Sequence, residues 1–146
     1  PEIAQCVWSA KSLEKKYAID HSLPFARWPN NDLWNLLPTD IKINSQKSDR
    51  LPTQHKLKAA KERIQHWWQE AWLDQNSLPE QVPSASQKVK DAPSAPLIMS
   101  QRQRFFAEAN IALPGLSSDN ASVDDLFEAL VLQRGRLKEM QQLREW

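Results

Sequence analysis

Four prolines, at positions 24, 29, 38 and 52, divide residues 17–52 (YAIDHSLPFARWPNNDLWNLLPTDIKINSQKSDRLP) and leave few ways for the stretch to fold. Proline fixes φ and has no N–H, so long helices and central strands do not run through it. Residues 17–21 read as a strand, preceded by a second strand-like run at 3–8 (IAQCVW), and the two are expected to pair as an N-terminal hairpin. Pro24 and Pro29 bracket an irregular loop with Asn30-Asn31-Asp32 as a turn signal. Residues 33–37 form a short apolar run, expected to be a strand that Pro38 ends. Thr39 is the expected N-cap of a helix running to about Ser48, with Asp40 in its first turn, and Pro52 prevents its extension.

The remainder reads as helical. Thr53 is the candidate cap of a helix over 54–74, in which Leu57, Ala60, Ile64, Trp67, Trp68, Ala71 and Trp72 make one apolar stripe. Lys56, Lys58, Lys61 and Arg63 lie mostly off that stripe. Pro79, Pro83, Pro93 and Pro96 mark residues 77–96 as an extended linker. Ser100 caps a helix through Ala109 with Phe105 and Phe106 inward, and Pro114-Gly115 is a turn. Ser122 and Asp125 resemble a capping box opening a last helix with Val123, Leu126, Phe127, Leu130, Leu137 and Met140 on one face. The organisation expected is thus a core at 1–53, an amphipathic helix at 54–76 packing on it, the linker at 77–96 and a helical segment at 97–146.

Charge is distributed unevenly. The 146 residues carry a formal net charge of only +1, yet residues 39–66 hold seven Lys/Arg against three acids. Residues 101–146 hold six against seven. The positive surplus lies next to the proline-divided stretch, where a phosphate-binding surface would need it. The single cysteine, Cys6, excludes an internal disulfide and a four-cysteine zinc site, and fits a reducing, cytoplasmic setting. It is expected to act as a small buried apolar residue. No apolar run approaches the roughly 20 residues of a membrane span. The sequence starts at Pro1 rather than Met, and the expectation is a piece of a longer protein.

Within residues 17–52 an Asp-His pair, Asp20-His21, is followed by Asn35 and Asn44, then Lys47 and Arg50. Cleaving a phosphodiester takes an activated water, an electrophile for developing charge and help for the leaving oxygen. Asp20 can offer a divalent ion a carboxylate oxygen, and Asn44 a neutral amide oxygen. Mg²⁺ commonly takes one or two protein oxygens and fills its remaining positions with water and substrate phosphate. Imidazole exchanges a proton near neutral pH, which qualifies His21 to deprotonate water. Neighbours on a regular strand face opposite ways, so Asp20 and His21 can serve one phosphate only from a strand end or a bulge. Asp40, Asn44 and Lys47 share a helix face by spacing, placing Lys47 to meet a phosphate beside an ion on Asn44.

The pattern Asp-His, then Asn in Leu-Trp-Asn-Leu, then Asn-Ser-x-Lys-Ser-Asp-x-Leu-Pro resembles the HNH endonuclease motif. Residues 44–52 (NSQKSDRLP) are most similar to small bacterial HNH proteins and the HNH domains of CRISPR effector nucleases. The resemblance covers about residues 6–52 and implies an α+β fold, a ββα-metal (His-Me finger) core followed by an α-helical C-terminal extension. It implies His21 as general base, Asp20 and Asn44 as metal ligands, and Asn35 as the residue that braces the loop and orients the base. Mg²⁺ or Mn²⁺ is the implied cofactor. The paired CxxC motifs of zinc-bearing members are absent, so no structural zinc is expected. The activity expected is metal-dependent hydrolysis of DNA, one strand per site, in a bacterial or phage setting.

Each of these residues also has a plainer reading. Lys47 and Arg50 can contact phosphate or be solvated charges. Trp67, Trp68 and Trp72 can stack bases, but their spacing favours core packing; Trp28, on the loop near the site, is the better candidate for touching nucleic acid. His55 and His66 lie three turns apart on one helix, too far to share an ion. The alternative to a nuclease is a catalytically idle nucleic-acid-binding or assembly module with the same fold. DNA is the expected partner, with a homodimer or the subunits of a larger complex as further partners and no membrane.

Overall fold

The computed structural model describes residues 4–74, 100–116 and 121–146. It is an α+β arrangement: one antiparallel two-stranded ribbon with helices around it. Strand β1 is Ala18–His21 and β2 is Leu36–Thr39, with Asp20 opposite Leu37 and His21 opposite Leu36. This corrects the expected hairpin. Residues 4–8 do not pair with β1; they form a turn held by Cys6 N to Lys11 O (2.8 Å) and an isolated bridge between Gln5 and Ser12.

Pro38 sits inside β2 rather than ending it. In a ribbon of only two strands each strand is an edge, so a missing N–H leaves no ladder position empty. The Pro38 carbonyl instead accepts from Val7 N at 3.2 Å, which anchors the preceding turn. The expected strand at 33–37 is displaced as well: Leu33–Asn35 is a turn of 3₁₀ helix, and the extended backbone begins at Leu36.

Helix α1, Ile41–Lys47, follows β2 directly. Its cap is Asp40, not Thr39, because Thr39 is still paired with Ala18 and the helix begins one residue later. The Asp40 carboxylate accepts from Lys42 N (2.9 Å) and Ile43 N (3.2 Å), where a negative charge also suits the helix dipole. Ser48 ends the helix at φ 51°, with its N–H bonded to Asn44 O.

The helix expected over 54–74 exists in three pieces. Thr53 caps α2, Gln54–Ala59; Ala60 breaks the regular repeat; α3 is Lys61–Trp68; and Gln69–Leu73 widens into a π turn. Its stripe does pack inward: Leu57, Ala60, Ile64 and Trp68 are buried. The Trp68 indole donates to Trp34 O and the Trp67 indole to Leu36 O, each at 3.0 Å, so both rings are committed to packing.

Ser100 and Ser122 both close capping boxes, opening α4 (Gln101–Ala112) and α5 (Val123–Gln141). Met140, expected on the apolar face of α5, is 76% exposed. The expected linker at 77–96 lies outside the described residues. Trp34, Trp68 and Phe105 meet at the centre of the core, with the Trp68 and Phe105 rings edge to face at 5.6 Å. The C-terminal helices therefore share one core with the ribbon. Beyond α5 the chain returns to the first third: Leu51 N donates to Arg144 O (2.9 Å) and Trp146 N to Leu51 O (2.7 Å).

Candidate active site

The end of β1 and the last turn of α1 meet at one buried ammonium. Lys47 is fully buried, and its Nζ lies 3.3 Å from Asp20 Oδ1, 3.2 Å from Asp20 Oδ2 and 2.9 Å from the backbone carbonyl of His21. Asp20 is 5% exposed and also accepts from Trp8 Nε1 at 3.0 Å, on Oδ2. Lys47 is thus not at the surface, and the phosphate contact expected of it is replaced by a buried pair with Asp20. The physical reason is reach: from the last turn of α1 the flexible stem extends under the ribbon, where Asp20 would otherwise be an unpaired buried charge.

Burial pushes the Asp20 carboxyl above its usual range; Lys47, the Trp8 hydrogen bond and a smaller influence from His21 pull the other way. Burial likewise pushes the Lys47 ammonium below its usual range, opposed by Asp20. Desolvation leads in both, so burial works against the charged form of each partner.

His21 is the last residue of β1, the strand-end position that the Asp-His sequence requires if both are to act together. Its Nε2 lies 2.8 Å from Asn31 Oδ1, and its ring rests against Phe25 at 5.2 Å. A carboxamide oxygen only accepts, so this contact places a hydrogen on Nε2 and leaves the lone pair on Nδ1.

Asn35 is fully buried and holds the loop between the strands. Its Oδ1 accepts from Leu23 N (2.9 Å), while Nδ2 donates to Leu23 O (3.2 Å) and Asn30 O (3.1 Å). Its own carbonyl accepts from Ser22 N at 2.9 Å. The chain on both sides of His21's partner Asn31 is therefore fixed by one carboxamide.

Asn44 stands one helical turn before Lys47 on the same side of α1. It is half-buried, and its carboxamide makes no hydrogen bond to another described residue. Arg50 lies close by, but its guanidinium donates to Gln46 O and Lys47 O, satisfying carbonyls at the end of α1. Trp28 is half-buried with its ring 5.8 Å from Trp34.

The donor set suits a hydrated, oxygen-seeking divalent ion. Asp20 Oδ1 has a single long contact, from Lys47, and the Asn44 oxygen is available. Among the described residues no three His, Cys, Asp or Glu side chains gather into a metal-holding group; Asp20 and Asn44 offer the kind of oxygen donors that Mg²⁺ accepts when water fills its other positions.

Two participants escaped the sequence reading. Trp8 appeared only as part of a strand, and nothing in its neighbourhood announces a donor to Asp20. Asn31 reads as a turn residue, and nothing in its sequence neighbourhood points to His21, ten residues earlier.

Residues 7–53 match the HNH endonuclease family. The match covers about a third of the chain and spans every residue just described, from Trp8 to Arg50. No curated protein and no solved structure matches. The HNH segment thus coincides with the ribbon, its loop and α1. Among the described residues no helix is long and apolar enough to cross a membrane.

Proposed function

We propose that the HNH segment is a metal-dependent endonuclease centre on a ββα-metal scaffold that hydrolyses DNA phosphodiester bonds, one strand per site. The observation that carries this reading is that the end of β1, with Asp20 and His21, packs against the part of α1 that bears Asn44, inside the segment that matches the HNH endonuclease family. Asp20 and Asn44 would hold Mg²⁺ or Mn²⁺. Such an ion supplies Lewis-acid stabilisation of the charge that develops on phosphate and leaving oxygens.

His21 takes a proton from the attacking water on Nδ1 while its Nε2 hydrogen stays on Asn31, which fixes the ring's orientation. Asn35 keeps Asn31 and Leu23 in register with the ribbon and so holds the base without touching substrate. Arg50 and the open edge of Trp28 are the residues proposed to meet DNA, while Lys47 serves Asp20 instead. A homodimer, or a larger bacterial or phage complex, would supply the second cut of a duplex.

A supercoiled-plasmid assay tests this. Nicked circles form with Mg²⁺ or Mn²⁺ and not with EDTA, and His21→Ala slows nicking by roughly 10²-fold or more. A His21→Ala protein that nicks as fast as the parent contradicts the proposal. One observation favours a second reading, a catalytically idle DNA-binding or assembly module: Lys47 already neutralises Asp20 without any ion. Under that reading the parent binds plasmid but does not nick it with either metal.

A further inference from the structure

We propose that Trp8 is a positioning residue that orients the Asp20 carboxylate toward the metal, and that the chain at Leu143–Trp146 braces it for that task. The inference rests on the metal site proposed above and concerns residues outside its ligand set.

Lys47 cannot decide which Asp20 oxygen faces an ion, since its Nζ is 3.3 Å from one and 3.2 Å from the other. Trp8 can. Its indole N–H binds Oδ2 alone, at 3.0 Å, which makes the two oxygens unlike and leaves Oδ1 as the freer ligand. A neutral donor is also better suited than an ammonium to remain beside a divalent cation, because it orients the carboxylate without adding positive charge.

The indole is held from three directions. Val7 N donates to Pro38 O on β2, and Arg63 Nε on α3 donates to Val7 O at 2.8 Å, so the backbone just before Trp8 is tied to two elements. The Trp146 ring meets the Trp8 ring edge to face at 5.6 Å and 83°. Trp146 is itself fixed by its N–H on Leu51 O and by Lys56 Nζ, 3.9 Å from its ring centroid. A chain of contacts therefore runs from the segment after α5, through two indoles, to Oδ2 of the Asp20 carboxylate, opposite the oxygen left for the ion.

The test is Mn²⁺ binding to the full chain, read by electron paramagnetic resonance of the free ion and independent of cleavage. Trp8→Phe keeps a ring against Trp146 and removes the N–H; it should weaken Mn²⁺ binding about tenfold or more. Trp146→Leu leaves the N–H in place and should give a smaller loss in the same direction. Asp20→Ala separates the two claims. If Asp20→Ala abolishes binding while Trp8→Phe stays within twofold of the parent, the positioning role is overturned and the site stands. If Asp20→Ala binds as the parent does, both fall. Should Trp8→Phe not fold, the Trp8 indole N–H resonance of the parent decides: a shift on saturation with Mg²⁺ supports the role, and an unmoved resonance overturns it.

Discussion

Replacing Lys47 by Met removes a charge from the interior while keeping most of the side-chain volume. The change leaves the Asp20 carboxylate, 5% exposed, with Trp8 as its remaining donor, and leaves the His21 carbonyl without its 2.9 Å contact. Removing one partner of a buried pair typically costs about 3–5 kcal/mol, a large share of the roughly 5–15 kcal/mol that holds a domain folded. Asp20 can relieve the cost by taking up a proton, because burial already pushes its carboxyl above the usual range and the opposing pull of Lys47 is gone. The folded state then binds more protons than the unfolded chain between the unfolded and folded carboxyl pKa values. Stability of Lys47→Met accordingly falls as pH rises through that window and is least impaired in acid. Adding Asp20→Asn removes the stranded carboxylate, so the double variant should be more stable than the sum of the two single losses predicts, by about 2–3 kcal/mol in the double-mutant cycle. Urea unfolding followed by tryptophan fluorescence measures all four proteins. If Lys47→Met unfolds within about 0.5 kcal/mol of the parent, Lys47 behaves as a surface residue and the buried pair is wrong.

Three further changes test local parts of the structure. Asn35→Ala orphans Leu23 N, Leu23 O and Asn30 O, and should lower stability by about 3 kcal/mol or more, together with the nicking rate. A fully stable Asn35→Ala would show that the loop is held by other means. Ser48→Gly relieves a side chain held at φ 51° and should raise stability by about 1 kcal/mol in the same unfolding assay; a loss would mean the Ser48 side chain makes a needed contact. Gly135→Ala lies within α5, where an added Cβ meets nothing within 4 Å, and should raise stability by about 1 kcal/mol in thermal melts.

What could be read from residues alone follows the range of the forces involved. The caps at Thr53, Ser100 and Ser122 are local hydrogen bonds, and sequence located all three. The stripe from Leu57 to Trp68 follows helical spacing, and its burial was legible too. Strand pairing was not. The apolar run at 3–8 is nearer to β1 in sequence than Leu36–Thr39, and Pro38 reads as a stop unless the strand is known to be an edge. Lys47 stands out in the sequence as a phosphate contact, but its burial is not legible there for the same reason: it depends on Asp20, 27 residues earlier, and a helix-face argument sees only neighbours on the helix. Trp8 and Asn31 draw their meaning from partners 12 and 10 residues away, which no spacing rule within one element reports.

The proposed centre holds one divalent ion between Asp20 and Asn44, beside His21. Crystals of the protein soaked in Mn²⁺ and measured at its absorption edge show whether the ion is there. A single anomalous peak is expected within bonding distance of an Asp20 oxygen and the Asn44 carboxamide oxygen. A map with no peak there, and Lys47 still spanning both Asp20 oxygens at saturating Mn²⁺, would contradict it.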